Sequence, residues 1–75
     1  MSASIAARIT AEFPPHDHEA VRAALATYGE AEHEREAERV HGAILDLADN
    51  NADRVLLLVK NAKDDYRDVL FWASS

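Results

Sequence analysis

The stretch N-A-D-R-V-L-L-L-V-K-N-A-K-D-D-Y-R-D-V-L-F-W, from Asn51 to Trp72, decides the fold, because it carries most of the chain's large apolar side chains. At 100° per residue, its small and apolar residues fall on one stripe of a helix. The stripe consists of Val55, Leu58, Val59, Ala62, Tyr66, Val69, Leu70 and Ala73. Alternation with period two fails in V-L-L-L-V, and a strand of about 20 residues exceeds the usual strand length. The pattern therefore predicts one continuous helix over about 52–73, capped by Asn51.

The segment before this helix has a second apolar stripe with helical spacing. It is formed by Ala37, Val40, Ile44 and Leu47, and it predicts a helix over about 30–49. Asn50 and Asn51 supply the break between the two helices, since Asn tolerates the left-handed conformation and also caps helices. Two helices of about 20 residues with so short a connection form an antiparallel hairpin about 30 Å long.

The first 29 residues predict two shorter helices. Asp17 can cap a helix over about 17–28, and Gly29 is suited to close it in a left-handed conformation. Residues 1–13 form a weak amphipathic helix that ends at the Pro14-Pro15 pair, because proline disfavours the helical conformation of the residue before it. The predicted fold class is all-α in a single domain, 1–75, with the 17–28 helix packed across the hairpin.

The composition narrows the range of functions. Fourteen acids against eight bases give a net charge of −6, which argues against a nucleic-acid surface, since such surfaces need unpaired Lys and Arg. No run approaches 18 apolar residues, and the helices lack a basic polar face, so we expect no membrane partner. The absence of cysteine excludes disulfides and thiolate metal sites. We expect an acidic cytoplasmic protein.

Enzymatic chemistry has few suitable residues in this chain. The serines lie at positions 2, 4, 74 and 75, where frayed termini do not preorganise a nucleophile. Two glycines, Gly29 and Gly42, do not make a phosphate-binding loop. We therefore expect no catalytic residues and no cofactor.

A few large apolar residues do not fit the predicted stripe. Leu57 and Phe71 fall opposite it among charged residues, and Leu56 and Trp72 fall on its flanks. Exposed apolar patches often mark association sites, so these four residues are candidate partner-binding residues for a homo-oligomer or a partner helix. The alternative is that the N-terminal helix folds over them and covers them with Ile5, Ile9 and Phe13.

Metal binding is the alternative function, and it rests on Glu and His residues of the third helix. Glu30 and His33, like Glu38 and His41, have the i, i+3 spacing with which helical bundles present carboxylate and imidazole ligands. Glu34, Glu38 and His41 share one flank and form the candidate metal set. The competing interpretation is a solvated acidic face, because Glu and His are so frequent here that chance matches are expected.

A polar cluster is predicted at the open end of the hairpin. The wheel places His33 and Glu36 near the apolar stripe, and the hairpin register brings them close to Tyr66. Buried polar groups must be hydrogen-bonded, so His33, Glu36 and Tyr66 are predicted to form a structural cluster that fixes the register.

The motif D-Y-R-D-V-L-F-W-A at 65–73, preceded by R-V-x-x-A-I-L-x-L at 39–47, resembles a group of small bacterial proteins of unknown function. Their C-terminal half typically ends in D-Y-R-D-V-L-x-W-A, and the resemblance implies an all-helical hairpin without a known activity. This chain has Asn50-Asn51 in place of the usual Gly-Asp turn, and it has Leu56, Leu57 and Phe71 at positions that tend to be polar or small. Together these features favour a non-enzymatic, self-associating helical interaction module.

Overall fold

The computed structural model describes residues 1–32 and 34–75 and is all-helical over them, as predicted. Its helices are α1 (Ala3–Glu12), α2 (Pro15–Ala26), α3 (Ala37–Ala48) and α4 (Ala52–Ser74). The hairpin of α3 and α4 is the most extensive helix pair, α2 packs on α4, and α1 lies on α2 and α3.

The hairpin turn has the chemistry that the sequence predicts. Asp49 and Asn50 adopt left-handed conformations, with φ of 50° and 63°. Asn51 is extended, and its side-chain oxygen accepts hydrogen bonds from the N–H groups of Asp53 at 2.9 Å and Arg54 at 3.3 Å. Two donors that have no partner inside the helix are thereby satisfied, which confirms Asn51 as the cap of α4.

The core lies between the hairpin and the first two helices. From α4 it takes Val55, Val59, Ala62 and Val69, and from α3 it takes Val40, Ala43, Ile44, Leu45 and Ala48. From the first 28 residues it takes Ile5, Ile9, Phe13, Val21, Ala24, Leu25 and Tyr28. Many of these side chains are small, so the helices approach closely and the buried apolar area of each residue is modest.

Helix α1 is an integral part of this core. The Ser2 hydroxyl caps it by accepting a hydrogen bond from the N–H of Ile5. On its outer side, Arg8 donates to the carbonyl oxygen of Gly42 at 3.2 Å and to the carboxylate of Asp46 at 2.7 Å. Arg8 thereby ties α1 to the middle of α3, while Ile9 packs beneath it in the core.

Helix α2 starts two residues before its predicted first residue and ends two residues before its predicted last one. Pro15 occupies its first position, where a missing N–H costs nothing, and Asp17 lies in the first turn instead of capping the helix. Gly29 does have a positive φ, 108°, after the helix has ended at Ala26. A side chain at this position would be strained in that conformation.

The predicted start of the third helix at residue 30 is wrong. Helix α3 begins at Ala37, after a loop in which Glu36 has a left-handed φ of 53°. The loop is held by tertiary contacts of Glu34, which replace the helical hydrogen bonds that the sequence pattern suggested. With 12 residues, α3 is about 18 Å long, so the hairpin is shorter than the predicted length.

The predicted continuity of the last helix is also wrong. Asp65 has an extended conformation, with φ −158° and ψ 101°, and it divides α4 into segments 52–64 and 66–74. Its carboxylate accepts a hydrogen bond from the N–H of Arg67 at 3.0 Å, as a capping residue does at the start of a new helix. Residues of the second segment share a recess with residues of α3. The recess is lined by Glu38, Arg39, Gly42, Ala43, Asp46, Leu70, Ala73 and Ser74.

Candidate functional site

Two regions of the molecule depart from an ordinary helical bundle, and the first is the loop between α2 and α3. Here the Glu34 side chain is almost fully buried, with 3% of its surface exposed. Its Oε1 accepts hydrogen bonds from the N–H groups of Gly29 at 2.8 Å, Glu30 at 3.2 Å and Ala31 at 3.4 Å. Its Oε2 accepts one from Lys63 at 2.7 Å. One carboxylate thus organises the loop and ties it to α4.

The electrostatics of Glu34 follow from these contacts. The hydrogen bond from Lys63 and the one from the N–H of Gly29 stabilise the ionised carboxylate, and they lower its pKa from the usual 4.5 to about 2. The Lys63 ammonium also donates to the carbonyl oxygen of Thr27 at 2.8 Å, so the same cation holds the end of α2. Loop, α2 and α4 therefore meet at one ion pair.

Tyr28 and His41 complete the polar contacts beneath the loop. The Tyr28 hydroxyl donates to the carbonyl oxygen of Arg35 at 2.9 Å, and burial raises the pKa of this phenol to about 12. The Nε2 of His41 lies 3.1 Å from the carbonyl oxygen of Tyr28, and the two rings meet edge to face at 6.2 Å. A carbonyl only accepts hydrogen bonds, so His41 must carry its proton on Nε2.

The candidate metal set of Glu34, Glu38 and His41 is not assembled. Glu34 has both oxygens bonded to donors, and the Nε2 of His41 is directed at a carbonyl oxygen, which leaves only Nδ1 of that ring with a lone pair. Glu38 is exposed on the first turn of α3. Over residues 1–32 and 34–75, no group of three His, Asp or Glu side chains is placed to hold a metal ion. The prediction of this metal set assumed that one helix carries all three residues, but Glu34 lies in the loop before α3.

The predicted cluster of His33, Glu36 and Tyr66 is also not formed by the residues described. Glu36 is exposed and pairs with Arg39 at 2.9 Å, one turn into α3. Tyr66 is half-buried at the start of segment 66–74, and His33 lies outside the described residues. The hydrogen-bonded group at this end of the hairpin is built instead on Glu34 and Lys63.

The second unusual region is the outer surface of α4. Four large apolar side chains are exposed on it, at the positions expected from the sequence. The exposed fractions are 55% for Leu56, 60% for Leu57, 70% for Phe71 and 43% for Trp72. Helix α1 does not cover them, because Ile5, Ile9 and Phe13 are buried in the core on the side of α2 and α3. We call these four residues the apolar set of α4.

The interruption at Asp65 divides the apolar set into two pairs. Leu56 and Leu57 lie in the first segment, and Phe71 and Trp72 lie in the second. A helical wheel for one continuous helix places the four residues on one outer surface. Because of the interruption, they form two smaller faces instead. Each face must be considered as a surface of its own.

The charge distribution sets α4 apart from the rest of the chain. It carries four Asp and four Lys or Arg, so it is neutral overall. Residues 1–51 carry ten acids and four bases and account for the whole net charge of −6. The exposed apolar residues thus lie on a helix without net charge in an acidic molecule.

Two functional features escaped the sequence analysis. The role of Glu34 depends on Lys63, which lies 29 residues away. A pair so far apart in the sequence leaves no local pattern by which it could be predicted. The break at Asp65 did leave a signal, because Asp65-x-x-Asp68 has the spacing of a helix start within an apparently continuous helix.

No described helix combines the length and the apolar character that crossing a membrane requires. Comparison of the sequence with protein-family models, curated proteins and solved structures finds no match.

Proposed function

We propose that this protein is a non-enzymatic helical interaction module that associates with a second copy of itself through α4. The observation that carries the proposal is the apolar set of α4, four large side chains exposed on one helix of a 75-residue chain. Apolar area of this kind is characteristic of association surfaces.

The charge distribution favours a second copy as the partner. Two molecules with a net charge of −6 repel one another, and this repulsion is weaker on a helix such as α4 that has no net charge. A homo-oligomer needs such a surface, whereas a basic partner would gain more from the acidic remainder of the chain.

The expected association is weak. Covering the exposed half of a Leu, Phe or Trp side chain contributes about 1 kcal/mol, so burying both pairs on both copies would contribute at most about 8 kcal/mol. Association itself costs about 4–15 kcal/mol. At the lowest of these costs the balance is about −4 kcal/mol, which corresponds to a dissociation constant of about 1 mM. The oligomer should therefore form only at high protein concentration.

Sedimentation equilibrium over a concentration series tests the proposal. Metal-stripped wild type should form a dimer or higher species, and added zinc or iron(II) should leave the result unchanged. Leu57→Ser with Phe71→Ser should shift the equilibrium toward monomer. Ala23→Ser, at an exposed position of α2, provides the control outside α4. Equal association of the doubly substituted protein and wild type would contradict the proposal.

A cytoplasmic location, expected from the sequence, forms part of this proposal. Cell fractionation of the tagged chain checks it, and recovery in the soluble cytoplasmic fraction is the expected outcome.

A further inference from the structure

The first segment of α4 presents an exposed face with a symmetrical order of residues. Asp53, Leu56, Leu57 and Lys60 are all exposed, and their i, i+3, i+4, i+7 spacing places them along one side of the helix. All four lie before the interruption at Asp65, so one helical wheel applies to them. The face reads acid, leucine, leucine, base from its N-terminal end.

We propose that two copies of the chain pair antiparallel across this face, with the two-fold axis passing between Leu56 and Leu57. The inference rests on the proposed self-association and specifies its geometry. In this register Leu56 of each copy packs on the partner's Leu57. Each Asp53 then lies opposite the partner's Lys60, and the two-fold axis generates this ion pair twice.

The order of the charges selects this orientation. Reversing the face end to end exchanges Asp53 with Lys60 and leaves the two leucines in the middle, so the face complements its own reverse. A parallel pair would place Asp53 against Asp53 and Lys60 against Lys60, and both contacts are repulsive. The surface is thus complementary to a second copy in one direction only.

The two charged residues are available for such pairing. Among the ion pairs of the described residues, Asp53 and Lys60 have no partner within the chain. The other basic residues near them on α4 include Lys63, which is engaged with Glu34, and Arg67, which is engaged with Asp65. Binding of a second copy therefore breaks no intramolecular ion pair of Asp53 or Lys60.

One acid remains at the end of this face. Asp64 lies one turn beyond Lys60, where the antiparallel register places it opposite the partner's Asp49, in the turn before the start of the partner's helix. Packed helices cross at an angle, which separates their ends and keeps Asp64 away from the partner's acidic turn. The central four residues therefore dominate the contact.

Charge reversal tests the geometry by sedimentation equilibrium. Asp53→Lys places two lysines of each copy opposite two of the partner, and Lys60→Asp does the same with acids. Each substitution should raise the dimer dissociation constant by roughly tenfold or more. The double variant restores both ion pairs in reversed order and should return to within roughly threefold of wild type.

Two controls separate the intermolecular effect from others. Glu19→Lys and Arg22→Asp make the same changes of net charge at exposed positions of α2 and should leave dimerisation unchanged. A lysine at position 53 also disfavours the start of α4, because it lies near the positive end of the helix dipole. The double variant keeps that lysine, so its recovery identifies the loss in Asp53→Lys as a loss of pairing.

The outcomes distinguish the two proposals. A wild type that stays monomeric at the highest concentrations overturns both self-association and its geometry. A wild-type dimer that is weakened by Leu57→Ser but unaffected by Asp53→Lys overturns the antiparallel register alone. Weakening by each single reversal with recovery in the double variant supports the register.

Discussion

The loop around Glu34 buries a charged side chain, whereas the outer surface of α4 exposes large apolar ones. In the loop, a carboxylate is buried and every one of its oxygens has a donor. On α4, Leu57 and Phe71 are more than half exposed to water. A buried charge is compatible with a stable fold when its hydrogen bonds are satisfied. Large apolar side chains that stay exposed often mark a surface that binds another molecule. The contacts of the loop support the fold, whereas the role of α4 in assembly is the proposal.

The largest effect on stability is expected from a substitution of Glu34 in the loop. Glu34→Gln keeps the shape of the side chain but removes the charge, so Lys63 loses its ion pair and the amide accepts the loop N–H groups more weakly. The midpoint of thermal unfolding should fall by roughly 5–10 °C, followed by circular dichroism. Glu32→Gln, at an exposed position of the same loop, should change it little. Equal midpoints for the two variants would show that Glu34 is not what organises the loop.

Lowering the pH should remove the stabilisation by the ionised Glu34 from the wild-type protein. The pKa of Glu34 is lower in the folded state, about 2, than its ordinary value of 4.5. Its stabilisation is therefore complete above pH 4.5 and is lost as the pH falls from there toward 2. The difference in unfolding midpoint between wild type and Glu34→Gln should shrink over this window. A difference that stays constant from pH 6 to pH 2.5 would contradict the role assigned to the ionised carboxylate.

A smaller effect is expected at the break in α4. Asp65→Ala removes the carboxylate that accepts the N–H of Arg67, and it should lower the unfolding midpoint by roughly 3–5 °C. Asp64→Ala, an exposed position one residue earlier, should lower it less. If Asp65→Ala were instead more stable and more helical by circular dichroism, α4 would prefer to be continuous, and the capped restart would not be its stable form.

The smallest effect on monomer stability is expected on the outer surface of α4. Leu57→Ser with Phe71→Ser removes side chains that are exposed in the monomer, so under dilute conditions the free energy of unfolding should change by less than about 0.5 kcal/mol per site. Urea titration at low protein concentration measures it. A loss of several kcal/mol would show that these residues support the monomer fold, and the contrast with Glu34 would disappear.

The sequence was informative wherever a local pattern decides the structure. The apolar stripe of α4, the Asn51 cap and the left-handed Asn50 could all be predicted, because helical period and capping act over a few residues. Exposure of the apolar set of α4 could also be predicted from the wheel, whereas its binding of a partner stays a prediction.

Two structural features could not be predicted from such patterns. The start of α3 depends on the contact of Glu34 with Lys63 across the hairpin, which competes with local helix formation. At Asp65 two local signals disagreed: the apolar stripe continued through Tyr66 and Val69, while the capping spacing indicated a new helix. The structure follows the capping signal, and the stripe resumes on the second segment.

We propose that two copies of the chain meet on α4. Sedimentation equilibrium of metal-stripped wild type from micromolar to millimolar concentration tests it most directly. The expected result is a reversible, metal-independent increase in mass toward the dimer or a higher species. A single monomeric mass across the entire range would contradict it.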